Sequence, residues 1–381
     1  MKIVYVENVR IPSERAHAYQ IVQCAEWLGR FGHEVTLVNP DRADGKDVFE
    51  YFGLQDHAFV HATLPSRDLL SLPWPSFKPY AYALQRFTFV RSLRAWARQR
   101  NADIWYTRDP AMIDGLRGVV RGPWILEVHD APDHVPARWE RVKSSIRGFV
   151  AISVGLKQDL VERLGVPEQK IAVASDGYDP AEFTALPPQA DVRRELGIPD
   201  HAFVALYAGG FYRWKGIDLV VRAWREAPEQ AHLLLVGGPD VDRERLQTLV
   251  DPGVHDRVRI LSMRPRREAV RLFAAADIGL LTSSPAHAIG RAFTSPLKQF
   301  EYMAAGLPIL ASDVPSSHEV LHPAFASFYG YDERAFLDKL RSVMEDAAWR
   351  ASASARAREV VSGYSWEARA RRIAEFIERI I

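Results

Sequence analysis

Short apolar runs alternate with stretches of helical periodicity along the whole chain. In the first half, Lys2–Val6, Glu34–Val38, Asp103–Tyr106, Trp124–Val128, Gly148–Ile152 and Ile171–Ala174 read as strands. Arg15–Phe31 carries apolar residues at helical spacing, with Ser13 placed to cap it. Residues 40–79 are irregular and rich in Asp, Pro and Phe, which predicts loops with at most one short strand. The pattern breaks at Leu186-Pro187-Pro188-Gln189, since proline is costly inside strands and helices. It restarts with strands at Ala202–Tyr207, His232–Val236, Val258–Leu261, Ile278–Leu281, Ile309–Ala311 and Phe325–Tyr329. Helices over Leu219–Ala227, Arg267–Ala275, Leu297–Ala304 and Glu333–Glu345 intervene, and Trp366–Ile381 is amphipathic and basic. Such alternation predicts parallel sheets joined by crossover helices. The expected class is α/β: two doubly wound Rossmann-like domains facing each other across a cleft. They are placed at 1–185 and 186–364, with the 365–381 helix packing back on the first. Ligands of such sheets sit at the carboxyl ends of the strands.

Composition narrows the picture. At 381 residues the chain suits two ordinary domains, and 48% hydrophobic with 25% charged residues is a soluble globular balance. A net charge of +1 gives no case for a nucleic-acid partner. The lone Cys24 excludes an internal disulfide framework and a cysteine metal cluster; beside Ala25, Trp27 and Leu28 it reads as a buried, inert thiol. Lys2–Val6 is too short for a signal-peptide core, and no apolar run is long enough to span a bilayer. The expected location is cytoplasmic, with a peripheral position at the inner membrane face as its variant.

Two segments carry chemistry. Ser295-Pro296-Leu297-Lys298-Gln299-Phe300-Glu301 opens a helix out of a loop, and Gly306 and Pro308 close it before the next strand. A helix N-terminus offers free N–H groups and a positive dipole end to a phosphate. Glu301, one turn in, could accept hydrogen bonds from a ribose diol or simply complement the dipole; both readings stand. In Tyr207-Ala208-Gly209-Gly210-Phe211-Tyr212-Arg213-Trp214-Lys215-Gly216 a strand runs into paired glycines and a basic loop. There the backbone can approach a ligand and Arg213 and Lys215 can neutralise a diphosphate.

These residues resemble a known family, the retaining glycosyltransferases of group 1 and family 4, with the GT-B fold, which include bacterial mannosyl- and glucosyltransferases. The strand, glycine and Lys-Gly pattern matches Gly209 through Gly216, and the glutamate helix with its Gly-x-Pro stop matches Glu301 through Ile309. Gly32-His33-Glu34-Val35, Ile152-Ser153 with Leu156-Lys157, and Asp176-Gly177-Tyr178-Asp179 with Phe183 match in order. The resemblance implies that Lys215 binds the donor diphosphate and Glu301 the ribose hydroxyls. It implies that N–H groups of Leu297 and Lys298 face the phosphates or the donor sugar. His129, followed by Asp130 and Ala131-Pro132, corresponds to a first-domain histidine near the donor sugar, and Arg108 would meet donor or acceptor. Three departures mark a branch with the Ser-Pro-Leu-Lys variant. Phe293 stands where the family usually has a first glutamate, Gly210 stands where it has an arginine that Arg213 could replace, and the Asn8–His17 loop lacks glycines.

The expected activity is transfer from a UDP- or GDP-sugar to a glycan, lipid-linked or small-molecule acceptor, with retention and no metal or other cofactor. Basic groups and helix termini can stabilise the departing diphosphate. A nucleotide-sugar epimerase or phosphorylase of the same fold is the alternative within enzymes, and a catalytically inactive nucleotide-sugar-binding partner subunit the alternative outside them. Finally, Leu69–Ala102 carries Lys78, Arg86, Arg91, Arg94, Arg98 and Arg100 and no acidic residue. Trp74, Phe77, Tyr80, Tyr82, Phe87, Phe89 and Trp96 are interleaved with them. Such a stretch is a helix with one packed aromatic face and solvated arginines, or a surface for an anionic membrane; single-stranded nucleic acid, which aromatics with arginines also bind, has no other support in the chain.

Overall fold

The computed structural model describes residues 1–42, 45–69, 77–130 and 137–381; Trp74 and Ala131-Pro132 lie outside the described residues. The chain forms two compact units, Met1–Ser175 with Trp366–Ile381, and Asp176–Ser365. The proline-rich stretch at 186–189 lies within the second unit and leads into the helix Gln189–Leu196.

The first unit is built on β1 (Lys2–Val6), β2 (Glu34–Pro40), β3 (Phe59–Leu64), β4 (Ile104–Thr107), β5 (Trp124–Val128), β6 (Ile146–Ala151) and β7 (Ile171–Val173). Their order is β3-β2-β1-β4-β5-β6-β7, all parallel. The second unit repeats the plan with β8 (Phe203–Ala208), β9 (Ala231–Val236), β10 (Val258–Leu261), β11 (Ile278–Leu281), β12 (Ile309–Ser312) and β13 (Ala326–Tyr329). Here the order is β10-β9-β8-β11-β12-β13, again all parallel. Strand order reverses beside β1 in one sheet and beside β8 in the other. Those are the points where crossover helices part to opposite faces and leave room for a ligand. Both sheets are the Rossmann-like parallel kind that the alternation predicts.

Local chemistry explains most boundaries. Central strands such as Ile-Leu-Glu-Val at 125–128 are buried on both faces, so they read as apolar runs. The edge strand β3 is half exposed, and its mixed sequence gives little signal. The helix Ala16–Arg30 starts after Arg15, which makes no side-chain cap, so the cap expected from Ser13 is not formed. The chain bends through 11–15 before the first helical turn, and Ser13 ends buried with its hydroxyl unpartnered.

The C-terminal helix Trp366–Ile380 belongs to the first unit. Its Ile373, Phe376 and Ile377 are buried, and each such side chain contributes about 1.5–3 kcal/mol on leaving water. It rests on β6 at Gly148, where a Cβ would fall 2.4 Å from Ile380 Cδ1 and 2.8 Å from Phe376 Cζ. Only glycine fits there. The Arg147 guanidinium closes the contact by donating from Nε to the Ile380 carbonyl at 2.5 Å.

Candidate functional site

In the second unit the chain leaves β8 through Gly209, whose φ of +134° is open to glycine alone. A 3-10 turn over Arg213–Lys215 follows, then the helix Ile217–Ala223. The helix Leu297–Ala305 starts beside this loop. Its Tyr302 hydroxyl accepts from the Ala208 N–H at 2.9 Å and donates to the Leu280 carbonyl at 3.3 Å, tying the helix to β8 and β11. Pro296 precedes the first turn without a side-chain cap, so the leading N–H groups, Leu297 and Lys298 among them, are not taken up by one.

Beyond its backbone N–H, Lys298 brings its side chain into this geometry. It is only 6% exposed, its ammonium lies 3.2 Å from the Tyr207 ring centroid, and Nζ has no hydrogen-bond partner. A Cβ on Gly209 would sit 3.4 Å from that Nζ, so the lysine reaches the turn after β8. Burial pushes its pKa well below the ordinary lysine range, the Lys215 charge pushes it further, and Glu301 opposes. Lys215 itself lies over the Trp214 ring at 3.9 Å. Burial lowers its pKa to about 8 against a raising effect from Asp176. Two desolvated amino groups therefore crowd one helix N-terminus and one glycine turn. Burial disfavours their charged forms, and an anion placed here would favour protonation of both.

The remaining second-unit candidates are placed as follows. Arg213 is exposed on the 3-10 turn, and Tyr212 stacks parallel to Trp214 with centroids 6.5 Å apart. The Gly210 carbonyl accepts from the Tyr207 hydroxyl at 2.8 Å, and the Ser295 hydroxyl accepts from the Asp176 N–H at 3.0 Å. Phe293 closes the π-helical turn Ile289–Phe293. Glu301 is buried, and its Oε1 accepts from Arg266 Nη1 at 2.8 Å. The same guanidinium grips both oxygens of Glu182 through Nε and Nη2. Sequence reasoning missed Arg266, since an arginine at the start of a helix reads as solvated. One Asp-x-Asp triplet, Asp240-Val241-Asp242, is also present. Its Asp240 pairs with Arg243 at 3.3 Å and its Asp242 with Arg245 at 3.7 Å.

In the first unit, Arg108 follows β4, beside the reversal of strand order, and His129 follows the neighbouring β5, so both stand at carboxyl ends. They share a network that includes Gln20 and Glu127, neither legible as a site residue. Arg108 Nη1 donates to Gln20 Oε1 at 2.5 Å, and its backbone N–H donates to Glu7 Oε1 at 2.5 Å. Gln20 Nε2 donates in turn to Glu127, which also meets His129 Nε2 at 2.5 Å. Burial opposes the charge on Glu127, yet Arg369, His129 and Arg108 outweigh it and hold that carboxyl well below its usual range. Burial and then Arg108 lower the His129 pKa to about 4 against the pull of Glu127, so its partly exposed ring is neutral at pH 7. Burial also raises Glu7 to about 8 and Cys24 to about 12, which leaves the thiol inert as expected.

Two parallel Rossmann-like sheets in one chain, each with polar groups where its strand order reverses, define the GT-B class. Solved structures agree on that fold over the full length. Sucrose-phosphate synthase from Thermosynechococcus elongatus aligns with TM-score 0.80 and 19% identity, covering 100% of this chain and 99% of its own. Anabaena HepE, solved in complex with UDP and glucose, aligns with TM-score 0.78 and 18% identity over 100% of both chains. Residues 18–182 match "Glycosyltransferase Family 4" and residues 202–346 match "Glycosyl transferases group 1". The chain belongs to the group 1 and family 4 glycosyltransferases, a family of enzymes. Among curated relatives, the D-inositol 3-phosphate glycosyltransferases of Corynebacterium efficiens and Xylanimonas cellulosilytica are similar. The first is 29% identical across 57% of this chain and 52% of its own, the second 28% identical across 60% and 56%. The chain thus spans about half the length of the curated relatives it matches.

Proposed function

We propose that this chain transfers a sugar, with retention, from a nucleoside diphosphate sugar to a glycan, lipid-linked or small-molecule acceptor. The observation that carries the reading is the buried Lys298 ammonium, unpartnered beside Lys215 and the N-terminus of the glutamate helix. That combination fits two adjacent phosphates. Lys215, Lys298 and the N–H groups of Leu297 and Lys298 take the diphosphate of a UDP- or GDP-sugar. Gly209 and Gly210 let the backbone close on it, with Arg213 and Ser295 at its rim. Glu301, steadied by Arg266, takes the ribose hydroxyls. When the sugar departs, charge builds on the diphosphate, and fixed ammonium groups stabilise it without an added metal. His129 and Arg108 act on the sugar or acceptor. Similarity to HepE, whose structure holds UDP, supports the nucleotide part of this reading.

The test is calorimetric titration with UDP, GDP and their bare nucleosides. Lys215→Ala should lose diphosphate affinity about ten-fold or more while nucleoside affinity holds, since a charge-assisted hydrogen bond contributes about 1.5–3 kcal/mol. Equal loss for both ligands would reject the diphosphate assignment. Phe293, which occupies the first carboxylate position of the family pattern, favours one second reading, a nucleotide-sugar-binding partner subunit without catalysis.

The helix Lys78–Ala97 bears on the acceptor. Tyr80 is 72% and Phe87 67% exposed, with Arg91 and Arg98 exposed along the same helix and its edge. Among the described residues no helix is long and apolar enough to cross a membrane. We read this surface as one that docks on anionic lipid from the cytoplasmic side, where a lipid-linked acceptor would lie.

A further inference from the structure

The C-terminal helix places an arginine in the interior of the first unit. Arg369 is 1% exposed, and its Nη2 donates to Glu127 Oε1 at 2.8 Å. Glu127 is fully buried on β5 and also accepts from Gln20 Nε2 and from the Tyr106 hydroxyl. The Gln20 amide has one orientation, because Arg108 donates to its Oε1 at 2.5 Å and its NH2 group faces Glu127. His129 Nε2 then lies 2.5 Å from an acceptor, Glu127 Oε1, and 3.4 Å from a donor, Gln20 Nε2. A proton on Nε2 satisfies the carboxylate, and a neutral ring protonated there leaves Nδ1 bare.

We infer that Arg369 is a positioning residue: by holding Glu127 ionised it fixes His129 in the Nε2–H tautomer, with Nδ1 presented as an acceptor. Any consequence for turnover rests on the reading of His129 given above; the tautomer assignment does not. Among the described residues, the titratable groups around this network include Glu7, Asp109, Arg108, Tyr5, Tyr106, Cys24, His17 and Arg369. Burial keeps Tyr5, Tyr106 and Cys24 protonated and His17 neutral, and it holds Glu7 mostly protonated at neutral pH. Of these neighbours, only Arg108 and Arg369 bring charge to Glu127. Arg369 alone among them is a direct ion pair to it. Without that pair a buried carboxylate takes up a proton, becomes a donor, and turns the histidine toward the Nδ1–H form. The same role for an outer partner in fixing which ring nitrogen is free recurs where histidines bind metals.

The experiment is long-range proton–nitrogen correlation spectroscopy on the full chain labelled with 15N-histidine, near neutral pH. His129 is assigned from the resonance lost in His129→Gln. Wild type should show one neutral Nε2–H tautomer. Arg369→Met should lose it in favour of Nδ1–H or a mixture, and Arg369→Lys should restore it. Turnover should follow the same order, with kcat of Arg369→Met lower by about ten-fold or more and nucleotide affinity unchanged. If Arg369→Met does not fold, the double variant Glu127→Leu/Arg369→Met removes both buried charges and the acceptor at Nε2, and should also lose the single tautomer. A folded variant of either kind that keeps pure Nε2–H at His129 overturns the inference. A shifted tautomer with unchanged turnover upholds the inference and overturns the reading of His129 as a group that acts on the sugar.

Discussion

Lys215 and Lys298 both sit where burial disfavours their charge, and this predicts two opposite responses to pH. Lys215 has its pKa lowered to about 8 in the folded chain, far below the unfolded value for lysine of about 10.4. Between those values the unfolded chain binds more protons, so stability should rise as pH climbs through that window. If Lys215 binds a nucleoside diphosphate as proposed, it does so protonated, so affinity should fall as pH rises through about 8 in the same protein. Thermal melts and calorimetry across this range check both slopes; affinity that tracks stability upward would contradict the assignment. At Glu301 the prediction differs in kind. Glu301→Gln should weaken nucleoside and nucleoside diphosphate alike, by about ten-fold, because the ribose is common to both. Loss confined to the diphosphate would mean that Glu301 acts only through Lys298 or Arg266. These residues were legible to different degrees. Glu301, Lys215 and the glycines carry a spacing that can be read along the chain. The Lys298 side chain does not, since a lysine near a helix start is ordinarily solvated. Glu127 is harder still: its partner Arg369 lies 242 positions away, and nothing local marks the pair.

At the scale of elements, strands buried on both faces were readable from their apolar runs, while elements held by weak or small side chains were not. The helix Ala347–Val361 leaves no clear period in the sequence because its buried stripe is Ala353, Ala357 and Val361. The edge strand β3 alternates between polar and apolar without a dominant face. The helix Lys78–Ala97 was legible as either packed or surface-seeking, and its description changes the experiment. Arg94 Nη1 donates to the Gly115 carbonyl at 2.6 Å, so Arg94 braces the fold. The set to change is Arg91, Arg98 and Arg100, each contributing about 1 kcal/mol near an anionic surface. Replacing all three by Gln should abolish salt-sensitive co-sedimentation with phosphatidylserine vesicles and leave consumption of a soluble donor unchanged. Wild-type protein that ignores such vesicles at low salt returns this helix to a purely structural role.

Across the whole molecule, one parallel-sheet plan occurs twice, and each copy gathers its polar cluster where the strand order reverses. The second cluster is cationic and suited to a diphosphate. The first is built around one buried carboxylate with a neutral histidine at its edge. That difference in charge supports a division of work, with nucleotide held by one unit and chemistry on the sugar assisted by the other. His129→Ala should then lower turnover by about two orders of magnitude while nucleotide affinity and melting temperature stay near wild type. Under the proposed assignment of Lys215 and Lys298 to the leaving group, chelation of divalent metal should leave turnover unchanged. The most direct measurement is release of nucleoside diphosphate from a panel of UDP- and GDP-sugars by purified wild type and by the double variant Lys215→Ala/Lys298→Met. The account predicts that wild type consumes at least one donor and that the double variant consumes none while remaining folded. A wild type that binds the nucleotide yet consumes no donor, with or without an acceptor sugar, would contradict it and identify a binding subunit instead.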